Sequence, residues 1–151
     1  MLHFKRIVSF LLAAVFIAFS GTVSFAFAET IPAAYVETRD IKLAYLQDLP
    51  AGSTGSAYSA ARTNASTTAA YDCFNSSRSN GLVGGMAQYK GLGGKFYDYS
   101  VNPEDVVYCS PGQDTSSYPK RAYYSSSTTW RVRIFNNDRL GVVFATAAIR
   151  D

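Results

Sequence analysis

Histidine occurs once in this 151-residue chain, at position 3, and cysteine twice, at Cys73 and Cys109. Those two facts bound the side-chain chemistry. Downstream of His3 the chain cannot build a Ser-His-Asp or Cys-His nucleophile, nor a His-ligated zinc or copper site. Cys73 and Cys109 lack C-x-x-C spacing, which disfavours a reactive thiol pair. In an oxidising compartment an even pair most simply forms a disulfide. Closing a loop of that length stabilises a fold by about 4 kcal/mol in the chain-entropy picture. That is a large share of the roughly 5–15 kcal/mol expected for a single domain.

Four further patterns bear on catalysis or ion binding. Ser117-Tyr118-Pro119-Lys120 satisfies S-x-x-K, but that chemistry stacks the pair on a helical first turn, where Pro119 and loop-like flanks do not belong. Gly91-Leu92-Gly93-Gly94-Lys95 resembles a phosphate loop, yet Tyr89 and Phe96 stand where Walker A needs glycine and Ser/Thr, so it reads as a tight turn. Glu104, Asp105 and Asp114, with Asp98 upstream, are oxygen donors of the kind Ca²⁺ takes, without EF-hand spacing. Solvated loop acids are the commoner role. Two carboxylates facing one cleft would serve glycoside hydrolysis, but sequence alone pairs none of the 11 acids. No cofactor is expected.

Binding chemistry is better represented. Eleven tyrosines and Trp130 lie beyond residue 28, and rings of this kind stack on sugars or build cross-strand pairs. Trp130, Phe135 and Phe144 are expected in the core. Tyr97, Tyr99, Tyr123 and Tyr124 are candidate binding residues, because adjacent or alternate tyrosines cannot all point inward. Arg131 and Arg133 alternate with Trp130, Val132 and Ile134, which gives one apolar and one cationic strand face. A cationic stripe is most often a solvated sheet face, and it also suits an acidic partner such as teichoic acid.

The elements that position these residues follow an N-terminal leader. Lys5 and Arg6 precede an apolar run from Ile7 to Ala18, and Ala26-Phe27-Ala28 closes the segment. This is the order of a secretory signal peptide, expected to be cleaved after Ala28. The segment is also long enough to cross a bilayer as a helix, but Ser20, Gly21, Thr22 and Ser24 interrupt it. The expected organisation is residues 1–28 as signal peptide and 29–151 as one secreted domain. Without the leader, 12 basic residues face 11 acidic ones. Such a balance gives no electrostatic drive toward nucleic acid, and membrane contact is expected only through the signal segment.

Beyond the leader no helix-period segment of useful length appears, and alternation predicts an all-β domain of about seven to nine strands. Strands are expected near 36–49, 69–75, 82–89, 95–101 and 106–109. Residues 57–63 fit a helical turn or a short strand. Asn80-Gly81 fits a type I′ hairpin turn, with 82–89 returning beside 69–75. Asn136-Asn137-Asp138 is expected to turn 130–135 back onto 140–149 as a second hairpin. Gly84-Gly85 predicts a bulge or a close backbone approach. A repeat at offset 61 links the two segments: Ser66-Thr67-Thr68, Phe74-Asn75 and Arg78 match Ser127-Thr128-Thr129, Phe135-Asn136 and Arg139. Chance accounts for these matches in a Ser/Thr-rich chain as well as two related hairpins do.

Tyr58-Ser59-Ala60-Ala61-Arg62-Thr63 and Thr129-Trp130-Arg131-Val132 resemble a pattern in small secreted proteins of Gram-positive bacteria. Some of those resemble the lactococcin-972 type of bacteriocin. The resemblance implies a signal peptide followed by a compact β-sandwich. It covers short stretches, breaks at the cysteine pair and the central Tyr-rich segment, and carries over no site residues. The combined expectation is a small antiparallel β-sandwich after a signal-peptide helix, secreted and non-catalytic. It would act by binding, either as a bacteriocin-like or envelope-directed factor or as a wall- or protein-binding module or inhibitor. The partner is then a cell envelope component or an extracellular protein. A carboxylate-based hydrolase is the distant alternative.

Overall fold

The structure is a computed structural model. It describes residues 31–49, 55–62, 66–77, 81–100, 102–137 and 143–150. The leader, the Arg78–Asn80 portion of the first expected turn, and Asp138 of the second lie outside these residues. Nine strands are present among the described residues: β1 (Lys42–Leu49), β2 (Ser56–Tyr58), β3 (Ser66–Asn75), β4 (Val83–Lys90), β5 (Phe96–Asp98), β6 (Val107–Cys109), β7 (Lys120–Thr128), β8 (Trp130–Asn136) and β9 (Val143–Arg150). They form two antiparallel sheets packed together. Sheet one runs β1-β9-β3-β7; sheet two runs β2-β8-β4-β5, with β6 also beside β4. The all-β sandwich read from alternation is the observed fold. Among the described residues no helix is long and apolar enough to cross a membrane.

Local pattern explains the strands. In β8, Trp130, Val132 and Ile134 are fully buried while Arg131 and Arg133 are not. The period-2 geometry of a strand sends one set to each face. The core lies between the sheets, where Tyr71, Val83, Ala87, Trp130, Val132, Ile134, Val143 and Ile149 meet. The Trp130 indole N–H donates to the Ser66 carbonyl at 2.9 Å, so its one polar atom is satisfied inside an apolar core. Cys73 on β3 and Cys109 on β6 form the expected disulfide. Both are fully buried, and the bond joins sheet one to sheet two.

Strand pairing differs from expectation at both predicted hairpins. β3 and β4 are consecutive but lie in different sheets, and so are β8 and β9. Each pair is an arch across the core instead of a hairpin. Burial on both faces is the physical reason. In β9, Ala145, Thr146, Ala147, Ala148 and Ile149 are all buried, because Ala145, Ala147 and Ile149 join the core between the sheets while Tyr35 and Leu43 pack with Ala148 on the other face. A hairpin would put it at β8's edge, where half of it would face water. The first expected strand is also shorter than read, because residues 36–41 lead in without strand pairing and β1 begins at Lys42. Residues 57–63 resolve partly as β2.

Phe74-Asn75 and Phe135-Asn136 of the offset-61 repeat fall on equivalent positions of the two arches, at the ends of β3 and β8, whereas Ser66-Thr67-Thr68 begin β3 and Ser127-Thr128 end β7. β3 pairs β9 with Asn75 opposite Ala145, and β8 pairs β4 with Asn136 opposite Val83. Each arch thus places its first strand beside the other's second. The hydrogen bonds that close the arches correspond: Ser76 N–H donates to Phe144 O at 2.9 Å, and Asn137 N–H to Leu82 O at 2.8 Å. Within the repeat, only the Phe-Asn pairs share a structural place, and they mark two exchanged arches, not two hairpins. Asn75 is fully buried and its side-chain amide donates to Gly81 O and Cys109 O at 2.6 and 3.0 Å.

The Gly84-Gly85 pair makes a close approach, not a bulge, since the β4–β8 register runs unbroken from Val83 to Tyr89. A Cβ on Gly84 would lie 2.4 Å from Phe135 Cζ. The Gly91–Lys95 segment turns β4 into β5, and Gly93 and Gly94 there adopt positive φ near 77° and 78°, which only glycine takes without strain.

Candidate functional site

The outer face of sheet two gathers the most concentrated binding chemistry among the described residues. Alternation fixes which side chains reach it. Ser56 and Tyr58 come from β2, Arg131, Arg133 and Phe135 from β8, Gly84, Met86, Gln88 and Lys90 from β4, Phe96 and Asp98 from β5, and Tyr108 from β6. Arg131 lies at the centre. Its Cζ is 4.3 Å from the centroid of the Tyr58 ring and 4.2 Å from that of Phe96, so two aromatic quadrupoles flank one guanidinium. Its Nε donates to Gln88 Oε1 at 2.7 Å. Gln88 in turn donates to Asp98 Oδ1 at 2.7 Å.

Arg133 is engaged differently. Its Nη1 lies 2.9 Å from Asp98 Oδ2 in an ion pair, its Nε donates to Ser56 Oγ at 3.2 Å, and its Cζ sits 4.9 Å from the Phe135 ring. Asp98 therefore neutralises Arg133, while Arg131 is held by a neutral amide. The layer is held flat by these lateral contacts and seals Met86 and Gln88 beneath it. Tyr58 remains 48% exposed, so ring surface and cation reach solvent together.

The other sequence candidates lie elsewhere. Tyr97, Tyr99 and Tyr124 point inward, to the margin between the sheets. Tyr89 stacks against Tyr124 at 4.5 Å and against Tyr97 at 5.9 Å, and both Tyr89 and Tyr99 meet Trp130 edge-on. This column extends the core, although the Tyr97 ring, lying over Gly91, keeps much of its surface exposed. Tyr123 faces outward from sheet one and is 58% exposed. Adjacent Tyr123 and Tyr124 thus part to opposite faces. Of the six candidates, only Arg131 and Arg133 belong to the assembled site.

Sequence reasoning missed Tyr58, Phe96, Phe135, Gln88, Asp98 and Tyr108. A signal existed for Phe96 and Asp98, since they are the alternate set to Tyr97 and Tyr99. No local signal brings Tyr58, 73 residues upstream of Arg131, to the same guanidinium. Glu104, Asp105, Asp114 and Asp98 do not converge, for no cluster of three or more acidic or thiol groups able to hold a metal exists among the described residues. Ser117-Tyr118-Pro119-Lys120 runs from a turn into β7, with no helix to stack serine on lysine. The chain matches no known protein family model, no curated protein and no solved structure.

A second polar cluster sits on the outer face of sheet one. Asp72 is fully buried, and its Oδ2 lies 2.7 Å from Arg150 Nη2. The Tyr35 hydroxyl donates to Asp114 Oδ1 at 3.3 Å and its ring lies 5.6 Å from Phe74. Burial raises the Asp72 carboxyl above its ordinary value, with Arg150 opposing the shift. Burial, then Asp72 and Asp114, holds Tyr35 neutral. Here the turn Ala33–Tyr35 covers the sheet, and the loop around Asp114 pairs with β3 at its edge. Phe74 and Phe135 are offset-61 equivalents; among the described residues Tyr35 packs on the first of these faces, and none covers the second.

Proposed function

We propose that the domain is a secreted, non-catalytic binding factor directed at a component of a cell envelope, and that it binds through the outer face of sheet two. The observation that carries this reading is Arg131, flanked by Tyr58 and Phe96 on a flat sheet surface open to solvent. Residues with no hydrophobic-core duty are tied there into one layer by Gln88, Asp98, Arg133 and Ser56. Preorganised rings and cations lower the ordering cost of association. The leader of residues 1–28 supports export, and the buried disulfide fits an oxidising destination. The lack of histidine after His3 supports binding over catalysis.

Co-sedimentation tests the reading. Residues 29–151 should sediment with isolated envelope fractions of producing or neighbouring cells. Tyr58→Ala and Arg131→Gln should abolish this without lowering Tm. Retention by both variants refutes use of this face. Growth inhibition of neighbouring cells by the purified domain, lost in the same variants, marks the bacteriocin-like form of the function; envelope binding without inhibition marks the binding-module form.

A further inference from the structure

Resting on that reading, we infer that the Arg131 guanidinium edge is an anion subsite and that the ligand of this face is an acidic glycan. Charge on the face is the first argument. Arg133 and Asp98 cancel at 2.9 Å, whereas Arg131 keeps its full charge beside the neutral Gln88. Lys90 lies on the same face, opposite Phe96. The surface is therefore net cationic within a domain whose overall charge is almost balanced. Among the described residues the two terminal nitrogens of Arg131 donate to no protein acceptor, its Nε alone being used.

Geometry supplies the second argument. Rings at 4.2 and 4.3 Å shield the guanidinium from water. A planar fork so shielded is fixed in orientation and presents paired N–H donors, the arrangement that carboxylates accept bidentately. The third argument is the exposed ring. Tyr58 offers aromatic surface beside the cation, and a sugar can lay its C–H face on such a ring while its carboxylate meets Arg131. A flat layer of this kind spans several strands, which suits an extended polymer lying across the sheet. A peptide would more readily add to a sheet edge by backbone pairing.

The matched face of sheet one shows the converse arrangement. There the Asp114 carboxylate receives the Tyr35 hydroxyl, whose ring lies near Phe74, and the Asp72 carboxylate is paired with Arg150. An aromatic group and an oppositely matched polar group occupy that face from within the chain. On sheet two the protein supplies the ring and the cation, which leaves the anion to the ligand.

The test uses residues 29–151 and isothermal titration against four probes: polygalacturonate, its methyl-esterified form, neutral dextran and polyglutamate. Polygalacturonate should bind, with affinity falling about tenfold or more when its carboxylates are esterified. Arg131→Gln should lose the same factor. Arg131→Lys should lose most of it, because lysine keeps the charge but not the planar fork. Tm of each variant must stay within a few degrees of the parent. Equal binding of the esterified form, or full affinity in Arg131→Gln, overturns the anion subsite while leaving the face a binding site. Equal binding of polyglutamate overturns the glycan assignment. Binding of no probe, together with no envelope co-sedimentation, overturns both this inference and the reading beneath it.

Discussion

Replacing Gly84 by alanine should destabilise the domain, and replacing its neighbour Gly85 should not. The two glycines sit side by side in β4 with the same backbone class, yet their surroundings differ. A Cβ on Gly84 meets Phe135 Cζ at 2.4 Å and its two Cε atoms at 2.7 and 3.0 Å. The Phe135 ring must therefore leave its place over the strand. A Cβ on Gly85 meets Cys73 Cβ at 3.4 Å and Ala147 Cβ at 3.7 Å, which is van der Waals contact. Forced overpacking costs roughly 1–3 kcal/mol. Because Phe135 lies on an outer face and can swing toward water, the lower half of that range applies to Gly84→Ala. Gly85→Ala gains about 0.4–1 kcal/mol by restricting the unfolded chain, which offsets any slight crowding. Urea unfolding should show a lower midpoint at unchanged slope for Gly84→Ala and little change for Gly85→Ala. Phe135→Ala removes the obstacle, so the double variant Gly84→Ala/Phe135→Ala should be more stable than the sum of the single losses requires. Additivity of the two losses would refute the argument, since residues in contact must couple. Displacing Phe135 also strips Arg133 of its ring partner, so Gly84→Ala should weaken envelope binding in parallel.

Other perturbations have equally definite outcomes. Opening the Cys73–Cys109 bond by the double alanine substitution should lower stability by about 4 kcal/mol, checked by urea unfolding with and without reductant; an unchanged midpoint would exclude the inter-sheet bond. Arg150→Ala leaves the fully buried Asp72 without its cation and should cost about 3 kcal/mol near pH 7, the low end for a broken buried pair because Arg150 is itself partly exposed. The Asp72 carboxyl titrates above its unfolded value of 3.8 in the fold, so the folded state takes up that proton more readily. Its contribution to stability is full below pH 3.8 and is lost as pH rises through the folded value. The stability of the parent relative to Asp72→Asn should accordingly grow as pH falls from 7 toward 4; a flat difference would be the contrary result. Tyr71 is raised by burial, its hydroxyl donating to Asp105 O at 2.6 Å. Stability should therefore fall above about pH 10, where only the unfolded tyrosine ionises, and less so in Tyr71→Phe.

How much of this was legible in the sequence depends on the range of the forces involved. Alternation between Trp130 and Ile134 dictated the two faces of β8, because a strand's side chains must part every second residue whatever lies beside it; the same period carries Phe135, which was expected in the core, to the outer face beside Arg133. The same rule set Phe96 and Asp98 opposite Tyr97 and Tyr99. The alternation of apolar and polar residues and the scarcity of helix-period segments pointed to the all-β class, and the even cysteine pair to the staple. Partner choice was decided only by tertiary structure. Alternation gives a strand two faces but names no neighbour, and both expected hairpins became arches once the apolar β9 was buried between β1 and β3. Tyr58 and Phe96 meet Arg131 for the same reason: sheet order brings together residues that chain order keeps apart, and no local pattern records that order.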